Sequence, residues 1–136
     1  MRRKRKTKND RLDLIDEVRA AFSIFVRMRD ADDNGICTCC TCPHRGPWTE
    51  FDAGHYVQGT DNSIRFIPMG AHAQCRFCNR GGDFDAAYAK FMHVKYGQEK
   101  TEAFKLRRHE NKHWTRDELK ELLSDFQERI KVEQAR

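Results

Sequence analysis

No apolar run in this sequence approaches the ~20 residues a membrane-spanning helix needs. Nor does the start look like a secretory leader, because the cationic string MRRKRKTK runs into a polar stretch, not an apolar one. Hydrophobic residues are scarce as well. At 38% hydrophobic against 35% charged, 136 residues read as one domain with a modest core. There is no internal repeat, and no low-complexity segment apart from the basic start. These absences lead to the expectation of a cytoplasmic protein with reduced cysteines, in which six thiols point to a metal and away from disulfides. A metal staple would offset the shortage of core, since metal-binding energy becomes folding energy.

Acid is missing from the first eight residues, where Arg2, Arg3, Lys4, Arg5, Lys6 and Lys8 supply six positive charges. Removing those six from the net charge of +5 leaves the rest of the chain at −1. Residues 1–9 therefore read as a disordered basic tail of the kind that binds polyanions. A weaker basic bias lies between Arg65 and Arg108, with nine Lys/Arg against four Asp/Glu. Nucleic acid is the partner these biases favour.

What the chain does have is concentrated between Cys37 and Asn79. The run CTCCTC (Cys37 to Cys42) is followed by FDAGHY (Phe51 to Tyr56) and HAQCRFCN (His72 to Asn79). A CxxC turn lets two thiolates reach one ion, and two such turns complete a tetrahedral four-cysteine zinc site. Cys75 and Cys78 form the second pair; Cys37/Cys40 and Cys39/Cys42 both have the spacing of the first. Around this centre, residues 10–136 read as a single domain. Leu14, Val18, Ala21, Phe22 and Phe25 mark an N-terminal helix over 10–29. Asp30 to Gly35 reads as an acidic turn, and the Pro- and Gly-containing PHRGPW as a loop. Short strands are expected at Phe51 to Val57 and at Ile64 to Ile67. Asp83 is the expected N-cap of a helix that carries Phe84, Ala87, Tyr88, Phe91 and Met92 and ends at Gly97. A helix from Glu99 to about Arg108 follows, and the capping box TRDE (Thr115 to Glu118) opens the last helix. A zinc core over 36–97 with C-terminal helices over 98–132 gives an α+β fold: a zinc-stapled treble-clef, or ββα-metal, core flanked by α-helices.

A histidine between two such knuckles has the position of a nuclease's general base, which makes His55 the candidate. The string C-x-T-C, nine residues, DAGHY, RF, HAQCxxCN and a tyrosine-bearing helix ending KYG resembles the phage NinG/Rap family, over roughly Phe22 to Ile130. That family belongs to the HNH endonuclease group and is associated with cutting recombination intermediates, including Holliday junctions. The resemblance implies an HNH-like, metal-dependent phosphodiester hydrolase, phage- or prophage-encoded and acting in the bacterial host. It favours Cys39, Cys42, Cys75 and Cys78 as zinc ligands and leaves Cys37 and Cys40 as extra thiols. Asn79 matches a metal-ligand position for a catalytic Mg²⁺ or Mn²⁺. Asp83 would stand in for the family's Gly-Asn asparagine, and Asp52 is either a further ligand or a strand-end surface residue. Arg65, Arg76 and Arg80 are candidates for holding phosphates, and His72 for orienting a neighbour.

The chain departs from the HNH pattern at Gly70, where a central asparagine usually steadies the base-bearing loop. That departure keeps a second reading open, a catalytically weak zinc-stapled binding module. An HNH nuclease of nicking or homing type is a third, with no obvious specificity domain in so short a chain. The expected substrate is branched or junction DNA, and symmetric cutting of a four-way junction would suit a homodimer, although no stretch identifies a dimer face.

Overall fold

The computed structural model describes residues 10–59 and 63–136. The tail over 1–9, with Arg2, Arg3, Lys4, Arg5 and Lys6, lies outside the described residues. Among those described, no helix is long and apolar enough to cross a membrane.

Helix α1 (Asp10–Asp30) forms where the apolar spacing predicts it, burying Val18, Ala21, Phe22, Phe25 and Val26. Asp10 and Asp13 sit in its first turn, Arg27 and Arg29 in its last, each opposite in sign to the local helix dipole. Its main partner is the last helix, α5 (Arg116–Gln134). The predicted capping box is present there: Thr115 Oγ1 accepts the Glu118 N–H, and the Glu118 carboxylate accepts the Thr115 N–H, both at 3.2 Å. Phe126 of α5 meets Phe22 and Phe25 at ring-centroid distances of 5.3 and 6.0 Å. Burying one such ring contributes roughly 1.5–3 kcal/mol, so a handful sets this small core.

Between the two helices in chain order come two antiparallel strand pairs. β1 (Ile36–Thr38) pairs with β2 (Arg45–Pro47), and the 39–42 knuckle lies between them. β2 replaces the expected loop. Pro47 is tolerated there because it ends a two-stranded edge and no central ladder needs its missing N–H. β3 (Phe51–His55) pairs with β4 (Ala71–Cys75), in register from Phe51↔Cys75 to His55↔Ala71. The short helix α2 (Arg76–Gly81) follows at once, with Cys75 as its N-cap and Cys78 in its first turn.

The strand expected at Ile64 to Ile67 is a turn, closed by the Ile67 N–H to the Ile64 carbonyl at 3.1 Å. Ile64 and Phe66 alternate inward as strand residues would, but Phe66 packs into the α1–α5 core and no backbone ladder forms. The partner of β3 is instead AHAQC, whose small and polar residues carry little strand signal although all five are buried. The strand read to Val57 stops at His55. The N-cap of α3 (Asp85–Tyr96) is Phe84; Asp83 still contributes, its carboxylate accepting the Asp85 N–H at 3.3 Å. Gly97 ends α3, and α4 (Gln98–Leu106) starts directly after it. The observed architecture is α+β, with small antiparallel sheets held between helices and a second buried cluster around the cysteines.

Candidate functional site

Spacing leaves two choices for the first cysteine pair and the family resemblance favours Cys39 and Cys42, the pair that the fold brings to Cys75 and Cys78. Their sulfurs and those of Cys75 and Cys78 all lie within 4.8 Å of one another, and the Cys42 and Cys75 sulfurs are 3.7 Å apart. Zn–S bonds of about 2.3 Å in a tetrahedron put sulfurs about 3.8 Å apart, so these four cysteines could hold a zinc ion. Cys39 is prepared as a thiolate. The Cys40 thiol, the Thr41 hydroxyl and the backbone N–H groups of Cys75 and Thr41 favour its charged form and outweigh burial, bringing its pKa down to about 3. Cys37 is the opposite case. Fully buried, with its sulfur 3.3 Å from the Arg27 carbonyl, it is pushed up to about 11 by burial and stays a thiol outside the cluster.

The knuckle is tied to the strand pair through Gln74. Its side-chain amide donates to Thr41 Oγ1 at 3.0 Å, which leaves that hydroxyl's own proton for the Cys39 sulfur at 3.4 Å. Gln74 reaches Thr41 across Gly54, where a Cβ would lie 2.9 Å from the Gln74 Cβ and closer still to its amide oxygen. Any larger residue at 54 would therefore displace Gln74. The glycine of AGHY is a packing requirement of the neighbouring strand.

His55 ends β3 at the rim of a cleft of about 650 Å³, which Asp52, Asn79, Arg80 and Arg65 also line, with Asp16, Arg19 and Phe22 of α1. Its Nε2 lies 2.9 Å from the Arg65 carbonyl oxygen, and its ring stacks on Phe22 at 5.6 Å. A carbonyl only accepts, so Nε2 carries the proton and Nδ1 keeps the lone pair in the neutral ring. Burial pushes the His55 pKa below its ordinary 6.5, more than the Arg65 hydrogen bond raises it. The imidazole is thus neutral at pH 7, with one nitrogen fixed and the other able to accept a proton.

Across the cleft, α2 presents Arg76, Asn79 and Arg80 at i, i+3 and i+4, one helical face turned toward Asp52 on β3. Arg80 Nε donates to Asp52 Oδ2 and its terminal nitrogen to Oδ1, both at 2.9 Å. Asn79 Nδ2 donates to Oδ2 at 2.9 Å, and Arg76 Nε lies 3.9 Å from Oδ1. Burial opposes the charge on Asp52, but the Arg80 and Asn79 hydrogen bonds outweigh it and hold the carboxylate below its usual range. Asp83 is not among the cleft's lining residues; it is exposed at the turn into α3. Of the sequence-predicted site residues, the fold brings together His55, Asp52, Asn79, Arg65 and Arg80, sets Arg76 beside them and leaves Asp83 apart.

Behind β3 runs a layer that the sequence reading glimpsed only in His72. Tyr88 donates its hydroxyl proton to the Gly54 carbonyl at 2.6 Å. Its oxygen then accepts from His72 Nδ1 at 3.3 Å, and His72 Nε2 accepts from the Tyr96 hydroxyl at 2.7 Å. Burial takes the His72 pKa down to about 4, so this ring is neutral and acts as a relay that anchors the peptide preceding His55. Gly70 belongs to the same layer. Its carbonyl accepts the Tyr56 N–H at 2.9 Å, and a Cβ there would lie 2.5 Å from Phe104 Cζ. Phe104 fills the space an asparagine at 70 would need, and backbone pairing holds the residue after His55.

No curated protein and no solved structure matches the chain. A family model does: the one described as Bacteriophage Lambda NinG protein matches residues 1–135, and the chain belongs to that family.

Proposed function

We propose that the chain is an HNH-type, metal-dependent DNA endonuclease that hydrolyses phosphodiester bonds in branched recombination intermediates such as Holliday junctions, working in the cytoplasm of a phage's bacterial host. The observation that carries this reading is His55, neutral, stacked on Phe22 and pinned through Nε2 to the Arg65 carbonyl, with Nδ1 left to act in an arginine-lined cleft. The order of hairpin knuckle, strand pair and CxxC helix supports a treble-clef, ββα-metal core stapled by zinc at Cys39, Cys42, Cys75 and Cys78.

In the proposed reaction His55 Nδ1 takes a proton from water, and the resulting hydroxide attacks phosphorus as the P–O bond to the leaving sugar oxygen breaks. That oxygen takes a proton from a solvent water, and His55 returns its proton to solvent. Arg65 and Arg19, both lining the cleft, would hold the phosphate by charge. Asp52 and Asn79 offer hard oxygen donors, a carboxylate and a side-chain carbonyl whose amide nitrogen is already spent on Asp52. The Asp52 carboxylate already takes a positive partner, the Arg80 guanidinium, on both oxygens. Mg²⁺ or Mn²⁺ held there would stabilise the charge developing on the phosphate and leaving oxygen. The Tyr96–His72–Tyr88 relay and the Gly70 carbonyl hold the strand end so that the imidazole does not drift.

The second reading, a zinc-stapled DNA-binding module with little catalysis, is favoured by that same arginine, since Asp52 is already neutralised. A metal-dependent nicking assay on supercoiled plasmid and on flapped and four-way substrates separates the two. The enzyme reading expects cleavage that disappears in His55→Ala; binding without cleavage would favour the module.

A further inference from the structure

The cation site on Asp52 is occupied by the protein itself. A carboxylate has four lone-pair positions, and three are filled: Arg80 takes one on each oxygen and Asn79 a second on Oδ2. The fourth, on Oδ1, faces Arg76 Nε at 3.9 Å. A divalent ion approaching this carboxylate would meet a guanidinium in its place and a second one beside it. The two partners differ in freedom: the Asp52 side chain is 18% exposed and the Arg80 side chain 64%. Asp52 is anchored in a strand pair, whereas Arg80 is a long side chain on a short helix, at the edge of the cleft that would receive DNA. A backbone phosphate, present at every step of the proposed substrate, can accept the same paired hydrogen bonds from Arg80.

We infer that Arg80 is an exchangeable cation that couples metal binding to DNA binding: it sits on Asp52 in the free protein and moves to a backbone phosphate in the complex, vacating the carboxylate for Mg²⁺ or Mn²⁺. This inference rests on the endonuclease reading, and it deepens it. Free protein should bind the divalent ion poorly, DNA should raise its affinity, and the ion should raise the affinity for DNA by the same factor, because coupling is reciprocal. The alternative is a fixed structural ion pair that fastens α2 to β3. In that case removing Arg80 would loosen the fold and give the ion nothing.

The test is Mn²⁺ binding to the full zinc-loaded chain, followed by the free-Mn²⁺ electron paramagnetic resonance signal, with zinc content checked in every sample. Binding is measured in a His55→Ala background so that DNA survives, with and without a four-way junction oligonucleotide. Without DNA, Arg80→Ala should bind Mn²⁺ on the order of tenfold more tightly, as expected for releasing a carboxylate from a paired arginine. Arg80→Lys, which keeps the charge but loses the fork, should fall between, and Asp52→Asn should lose the site in every background. With the junction present, the Arg80-containing protein should gain affinity for Mn²⁺ and Arg80→Ala should gain little. Unchanged or weaker Mn²⁺ binding in Arg80→Ala would overturn the inference, as would equal DNA-induced gains in both proteins or Mn²⁺ binding to none of the forms. Cleavage by the His55-containing parent is scored separately. Its absence would sink the endonuclease reading, whereas normal His55-dependent cleavage with an indifferent Arg80→Ala would sink only the exchange.

Discussion

The cysteine cluster and the cleft adjoin one another on β3, β4 and α2, yet they are built in opposite ways. In the cluster every contributor to the candidate metal site is a side-chain sulfur, and the four come as two local i, i+3 pairs. Little else is needed once the two turns meet. In the cleft the groups come from β3, α2, α1 and the turn around Arg65 and include few local pairs. The decisive holds there are backbone carbonyls: Arg65 for the His55 ring and Gly54 for the relay behind it. The cluster fastens the fold, so damage to it should appear as unfolding. The cleft is carried by the fold, so damage to it should appear as lost chemistry on an intact chain.

The largest expected effects lie in the cluster. Cys75→Ser or Cys78→Ser should lose zinc and cooperative folding together, because metal-binding energy here is folding energy. Cys39→Ser should do the same, and Cys37→Ser should keep its zinc. Zinc content and thermal melting of the four variants would break the comparison if Cys37 proved to be the one that matters.

His55→Ala should reverse that pattern. Zinc content and melting should stay close to the parent while cleavage falls by roughly 10² to 10⁴, the usual range for a lost general base. Since burial holds the His55 pKa below 6.5, cleavage should persist as pH falls through 6.5 and decline only at more acid pH. A rate profile with its acid limb above 6.5 would show that another group sets the titration.

This contrast also explains how far the sequence could be read. The helices α1 and α5 announced themselves through apolar spacing and the Thr115–Glu118 capping box, which are local signals. Asp52, His55 and Asn79 could be picked out by residue type and motif position. The partner strand Ala71–Cys75 could not, because its burial comes from its neighbours and its residues have no strand character of their own. Spacing alone left Cys37 and Cys39 open; the resemblance favoured Cys39, and the fold agrees through a carbonyl from α1 on Cys37 and an N–H from β4 on Cys39. Gly70 was read as a missing asparagine, whereas in the fold the site is filled from α4 by a ring 34 residues further along the chain.

That last difference can be sharpened directly. Gly70→Asn, which restores the residue the HNH pattern leads one to expect, should destabilise the protein by about 1–3 kcal/mol, since the new Cβ overlaps Phe104. Phe104→Ala alone should cost roughly 3–5 kcal/mol as a buried ring replaced by a cavity. Together they should cost less than the sum, because the asparagine would occupy part of the space the ring vacates. Strictly additive costs in denaturant unfolding would mean that Phe104 is not what excludes a side chain at 70.

The smallest expected effect is a pH dependence of stability assigned to His72. Its pKa is about 4 in the folded chain against 6.5 ordinarily, with burial as the main cause. Below 6.5 the unfolded chain takes up a proton at this residue and the folded chain does not, so acid favours unfolding. The stabilising contribution is complete above about pH 7, shrinks as pH falls through 6.5, and is exhausted near pH 4, where the folded ring also protonates. A difference of about 2.5 pKa units limits the total to about 3 kcal/mol, and between pH 7 and 5.5 the share lost is about 1 kcal/mol. His72→Gln removes the titrating ring but keeps a polar side chain between Tyr88 and Tyr96. Compared by urea unfolding with zinc in excess, the parent should lose about 1 kcal/mol more than this variant over that interval. The zinc thiolates and His55 titrate in both proteins and cancel in the difference. Parallel losses would mean that His72 is not held neutral, and the relay anchoring the His55 strand would then have to carry its proton in some other order.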